Sequence, residues 1–335
     1  MCNRVKLRSP RDTAHLILAA VPSSGSPTAR RLQLFERIVV GYAGDEAGRD
    51  AVRLAGALTA ALRASVTVIY PYSPLLCAVP ADATEQRIRE ELGALLPDSQ
   101  ELAEATYHWS GSSWPIHALH SMASYEHAEL IVIGAARKGI TDRLHISLME
   151  RMVHGAPCAV LVAPAGYANR DAGAWRRVGV GFTDSAEGRT ALRLGHELAG
   201  VLGGELSVLA ASWLSTVIRS YAAQAIAVST LENETYTRTT AGVERAVAEL
   251  DPGTPVHTRT IKGDPCEVLV ERSDGLDLLV LGSRAYGPLR HVLLGSVSAP
   301  VMREAHCPVL VVPRGSQPDE GKAEGERAAV SASAG

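Results

Sequence analysis

Cysteine is thinly used in this sequence and never at CxxC spacing: Cys2, Cys77, Cys158, Cys266 and Cys307 are odd in number and sit among small or apolar residues. That pattern argues against a disulfide framework and fits a reducing cytosol. Long hydrophobic runs are also missing. Leu16 to Val21 falls far short of the roughly 20 residues that cross a bilayer, and Asp12 and His15 interrupt the approach that a secretory signal needs. The net charge of −3 gives no overall pull toward nucleic acid or an anionic membrane. There is no GxxxxGK[ST], so no P-loop lysine reaches a terminal phosphate, and no G-x-S-x-G elbow presents a serine nucleophile. The expectation is a cytoplasmic protein, not an enzyme, with neither nucleic acid nor membrane as a partner.

What the chain does contain is a duplication. IVVGYAGDEAGRDAVRLAGAL at 38–58 aligns with VGVGFTDSAEGRTALRLGHEL at 178–198, ELIVIG at 129–134 with DLLVLG at 277–282, and CAVLVAP at 158–164 with CPVLVVP at 307–313. Within each copy, short β-branched runs alternate with helical patterns. Strands are predicted near 38–42, 65–70, 104–109, 129–134 and 158–163, and again near 177–182, 205–210, 256–261, 277–281 and 308–312. Helices in the second copy are predicted near 186–202, 220–250, 265–273 and 297–305. Apolar strands without in/out alternation indicate burial on both faces, hence parallel sheets flanked by helices. The fold class expected is α/β: two tandem doubly wound, Rossmann-like domains, each a five-stranded parallel sheet with helices on both faces. Their bounds are placed at 35–166 and 174–314, with a disordered basic extension at 1–34 and a disordered acidic tail at 315–335.

The segment GSRAYGPLRHVLLGSVS, 282–298, carries the ligand chemistry. A strand-exit glycine is followed thirteen residues later by Gly295-Ser296 at a predicted helix start. Backbone amides freed by glycine and aimed from such a start can receive an anion. These residues, with VGVGFTDS, GDPCEVLVERS and VLLGSVSAPV, resemble a tandem universal stress protein of the UspA-like family, over both copies. The family signature is Gly-x2-Gly-x9-Gly-(Ser/Thr), which in ATP-binding members holds phosphates and ribose. The resemblance implies an adenine-nucleotide-binding stress-response module, with ATP in the second domain only and Mg²⁺ as an optional companion. It assigns the site to Gly181, Phe182, Thr183, Gly282, Arg284, Ala285, Gly287, Gly295, Ser296, Val297 and Ser298. Ser296 and Ser298 offer hydroxyls and N-capping.

Two departures stand out: Ala285 replaces the second glycine, and Thr183 replaces the first-strand aspartate. They favour the alternative, a family scaffold or interaction protein that binds no nucleotide. The first copy is more degraded, with Arg137, Ser147 and Leu148 at later signature positions and Ala43 for the aspartate. Slow ATP hydrolysis is the one turnover left open.

Elsewhere the signals are structural. His117, His120 and His127 suggest a metal, but Leu119 and Met122 read as the inward positions, leaving the histidines on a solvated face. Asp264-Pro265 reads as a helix start, with proline in the first turn. The last strand of each copy, Cys158–Ala163 and Cys307–Val312, would be an apolar sheet edge that must be covered. A tandem chain can pair these two edges internally as an antiparallel pseudo-dimer, with Cys158 and Cys307 too far apart to bridge. A homodimer and a protein partner of unknown identity complete the expected associations.

Overall fold

In the computed structural model the described residues are 34–71, 105–110, 115–135, 149–170, 173, 175–214, 225–283 and 295–313, with 86, 89, 90, 93 and 94. The first half comprises β1 (Arg37–Gly41), α1 (Glu46–Leu62), β2 (Ser65–Pro71), β3 (Thr106–Ser110), α2 (Pro115–Tyr125), β4 (Leu130–Gly134) and β5 (Ala159–Ala163). The second comprises β6 (Arg177–Gly181), α3 (Ala186–Val201), β7 (Glu205–Ser212), α4 (Ala225–Ala248), β8 (Val256–Lys262), α5 (Pro265–Ser273), β9 (Leu278–Gly282), α6 (Ser298–Glu304) and β10 (Val309–Val312).

Local chemistry sets the helix starts. The Asp45 side chain accepts from the Gly48 amide at 2.8 Å, and Ser185 does the same for Gly188 at 3.1 Å. These caps satisfy amides that a first helical turn leaves without intrahelical partners. At α5, Asp264 accepts from the Cys266 amide at 2.8 Å, and Pro265 follows it in the first turn.

All ten strands join one sheet, in the order β3-β2-β1-β4-β5-β10-β9-β6-β7-β8. Within each half the pairings are parallel, and the order reverses between β1 and β4 and again between β6 and β9. The halves meet where β5 and β10 pair antiparallel, in the register Val309↔Val162, Leu310↔Leu161 and Val311↔Val160. The two apolar edges therefore cover each other, and the halves form one compact unit. Continuing that register sets Cys158 opposite Pro313 and Cys307 opposite Pro164, at the two ends of the seam.

Side chains alternate across the pleat, so each face of the sheet carries its own apolar layer. One layer contains Val40, Leu54, Leu161, Val180, Leu192 and Leu310, and the other Val39, Leu119, Val160, Leu279, Val301 and Val311. Both layers run through both halves. β8 departs from the expected two-sided burial. It is the outer edge of the sheet, and its His257, Thr258 and Arg259 are exposed. No helix among the described residues is long and apolar enough to cross a membrane.

The connection between the halves is anchored at both ends. Asp50 of α1 is 3 % exposed and accepts from the amides of Gly166 at 2.8 Å and Ala168 at 2.7 Å. Thr190, its counterpart on α3, only bonds back to its own helix at Ala186. Beyond the clamp, the Arg170 guanidinium donates to the His306 carbonyl, and Trp175 is buried in the core.

Candidate functional site

In a doubly wound sheet, the loops leaving two neighbouring strands part to opposite faces where the strand order reverses, opening a crevice at the carboxyl ends. In the second half that point lies between β6 and β9, where Gly181 pairs with Leu281. A cavity of about 480 Å³ opens there, within the range of small-molecule sites. Gly181, Phe182 and Thr183 reach it from the end of β6, Gly282 from β9, and Gly295, Val297 and Ser298 from the start of α6. Leu209, Leu269 and Leu281 give it an apolar floor and are themselves buried. Thr183, Asp184 and Glu187 bring polar groups to it.

The remaining sequence-derived candidates divide into two groups. Arg284, Ala285 and Gly287 lie outside the described residues. Ser296 is described and exposed but does not line the cavity. Its carbonyl instead accepts from the Cys266 thiol at 3.6 Å. Burial, and then the Asp264 carboxylate, push the Cys266 thiol up from its ordinary range, which keeps it a donor. The expected serine caps are corrected as well. Val297 is the N-cap of α6 and makes no side-chain cap bond. Ser298 is already in the first turn, and its hydroxyl donates to the Gly282 carbonyl at 3.4 Å. That bond ties α6 to the end of β9.

Gly282 has a packing role as well as its place at the cavity. A Cβ there would lie 2.6 Å from the Glu187 carbonyl oxygen of α3, so only glycine lets helix and strand approach this closely. A Cβ on Gly134 would likewise collide with the Ala47 carbonyl of α1. This accounts for the glycine kept at 134 in a half whose other signature positions have changed.

Asp184 was not among the sequence candidates. Its carboxylate lies beside the substituted Thr183, but both oxygens are engaged: Arg189 holds one at 2.8 Å and Arg245 the other at 3.2 Å. The floor residues Leu209 and Ala211 were missed too. They sit two apart within the last four residues of β7, and period-two alternation along that strand is the signal that identifies them.

Among the histidines, His117 is exposed and His120 Nε2 lies 2.7 Å from the Met152 carbonyl. The described residues contain no group of three or more His, Cys, Asp or Glu side chains suited to a metal ion.

Residues 34–164 and 174–313 each match the profile of the Universal stress protein family. The protein Universal stress protein MJ0531 of Methanocaldococcus jannaschii is 42 % identical over 62 residues, which is 18 % of this chain and 36 % of that relative. A universal stress protein of Thermus aquaticus is 41 % identical over 54 residues, 16 % of this chain and 39 % of its own length. The chain thus aligns with well under half the length of either relative. Among solved structures, a universal stress protein from Archaeoglobus fulgidus superimposes with a TM-score of 0.55 at 18 % identity, covering 84 % of this chain and 97 % of that one. A putative universal stress protein from Pseudomonas aeruginosa gives 0.53 at 15 % identity, over 84 % and 94 %. At these identities the likeness establishes the fold.

Proposed function

Because the chain belongs to the universal stress protein family, we propose that its second half binds an adenine nucleotide as a regulatory ligand. One observation carries the reading: the end of β6 converges with the end of β9 and the start of α6, about a hundred residues further on, at a single cavity where the strand order reverses. The apolar floor of Leu209, Leu269 and Leu281 suits a planar base. The side bordered by Gly295 suits phosphates, because a backbone without a side chain admits close approach. Glu187 sits on the polar side, where it repels an uncompensated triphosphate, while Asp184 beside it is already held by Arg189 and Arg245. A Mg²⁺ travelling with the nucleotide offsets that repulsion. Bound nucleotide serves as a signal held by the protein rather than as a substrate turned over.

The competing reading, a family scaffold without ligand, draws on the engagement of Asp184 by two arginines and the loss of carboxylate at Thr183. A titration of wild type and Gly295→Asp with a fluorescent ATP analogue separates the two. Saturable binding by wild type, weakened by about tenfold or more in the variant (about 1.4 kcal/mol), supports the site. Identical, non-saturating curves overturn it. Denatured wild type should also release adenine nucleotide, detectable by mass spectrometry.

A further inference from the structure

A second cavity, of about 420 Å³, lies in the first half at the opposite, amino-terminal end of the sheet. It is bordered by the starts of β1, β2 and β3, and two arginines, Arg37 and Arg63, line it together with Ser65, Thr67, Thr106 and Glu126. The duplication supplies an internal control. At the equivalent place in the second half, Gly203 stands for Arg63 and Glu205 for Ser65. Arg177, the counterpart of Arg37, is closed off by Asp277 at 2.7 Å, and Glu205 is paired with His257 at 3.4 Å. That end of the second half is thus neutralised and acidic. The first half keeps the equivalent pair, Arg37 with Glu129, but only at 3.9 Å, and it adds Arg63 where the second half has a glycine.

Arg63 is the unusual residue. Its backbone is left-handed, with φ +57°, where the second half uses a glycine at φ +63°. A long β-carbon-bearing side chain is disfavoured in that conformation. Arg63 is exposed, and its guanidinium has no ion pair among the described residues. Arg37 is held loosely: Nε donates to the His127 carbonyl at 2.9 Å, and Glu129 lies at 3.9 Å. Glu126, the one acidic group of the lining, is 4.0 Å from His108. Hydroxyls from Ser65, Thr67 and Thr106 complete a wall with donor capacity, although Ser65 already donates to the Glu36 carbonyl at 3.0 Å.

We propose that this cavity binds a small molecule through an oxyanion, a phosphate or a carboxylate, with Arg63 and Arg37 as its cationic contacts. Guanidinium groups match both anions through paired N–H donors. The inference is independent of the nucleotide reading, because the two cavities lie at opposite ends of the strands in different halves.

The test uses full-length protein carrying Gly295→Asp, so that anions entering the second-half cavity contribute little. Thermal unfolding is followed in rising inorganic phosphate, succinate or chloride at matched ionic strength. The melting temperature should rise saturably with phosphate or succinate and not with chloride; the stronger of the two identifies the oxyanion. Arg63→Gly, which suits the left-handed backbone and copies the second half, should be at least as stable in chloride. It should bind the effective anion about tenfold more weakly or worse. A rise in the Gly295→Asp protein no larger than in chloride, or the same saturable rise once Arg63→Gly is added to it, overturns the proposal.

Discussion

Leu161 and Leu310 occupy the same position in the two copies of the duplicated unit, and they pair directly with each other across the seam between β5 and β10. The flanking pairs, Val160 with Val311 and Val162 with Val309, exchange under the same relation. The pseudo-two-fold axis of the duplication therefore passes between these two leucines. Both are 1 % exposed and belong to the same apolar layer.

Replacing either leucine by alanine should cost about 2–5 kcal/mol, the range for a buried leucine whose site cannot fully collapse. The double variant should lose less than the sum, because neighbours that share a cavity couple by about 0.5–3 kcal/mol. Urea unfolding of the four proteins in the cycle measures both quantities. Strict additivity would mean that the two side chains do not share a packing site.

Asp50 should prove more important than its position on a helix suggests. Asp50→Ala leaves the half-buried Gly166 and Ala168 amides without their acceptor, a loss of about 1–3 kcal/mol in all. The connection at 164–175 should then become the first site of limited proteolysis. Thr190→Ala, at the equivalent position of the second half, should change stability by less than about 1 kcal/mol and leave the cleavage pattern unaltered.

Gly134→Ala and Gly282→Ala should both destabilise, each by about 1–3 kcal/mol, since both place a Cβ against a helix backbone that cannot yield cheaply. Only Gly282→Ala should also weaken the ATP analogue. Titration of both variants separates the packing duty common to these glycines from the ligand duty proposed for one.

Burial pushes the Cys158 and Cys307 thiols up to about 12, from 9.0 for an unburied thiol. Between those values the folded state keeps protons that the unfolded chain has released. Stability from this source is therefore complete below pH 9 and is lost as pH rises toward 12. Cys158→Ala with Cys307→Ala should flatten the alkaline fall in unfolding free energy, as followed by urea titrations at stepped pH. In a Cys2→Ser, Cys77→Ser background, Cys266, the less buried thiol, should react with a disulfide reagent in the native state well before the other two.

Much of this architecture was legible in the sequence because the duplication allowed each half to check the other. The start of α5 could be read from Asp264-Pro265, where cap and ring chemistry act within a few residues. The β5–β10 seam could be read from two matching apolar runs that each needed cover. Reading was less successful wherever a residue type serves two purposes. Ser296 and Ser298 look like caps, yet Val297 takes that position and Ser298 bonds back to β9, a choice made by tertiary packing. Gly282 reads as a phosphate-loop glycine, and its conflict with the Glu187 carbonyl appears only once α3 is in place. Asp184 was passed over because family position pointed to residue 183. The arginines that engage it come partly from α4, some sixty residues on.

The antiparallel seam also decides what can be separated. A gene split within the linker would yield two polypeptides, each bearing a naked hydrophobic border of four or five residues that the other was shaped to meet. Produced apart, such pieces should aggregate or self-associate. Produced together, they should find each other and rebuild the whole through that shared border.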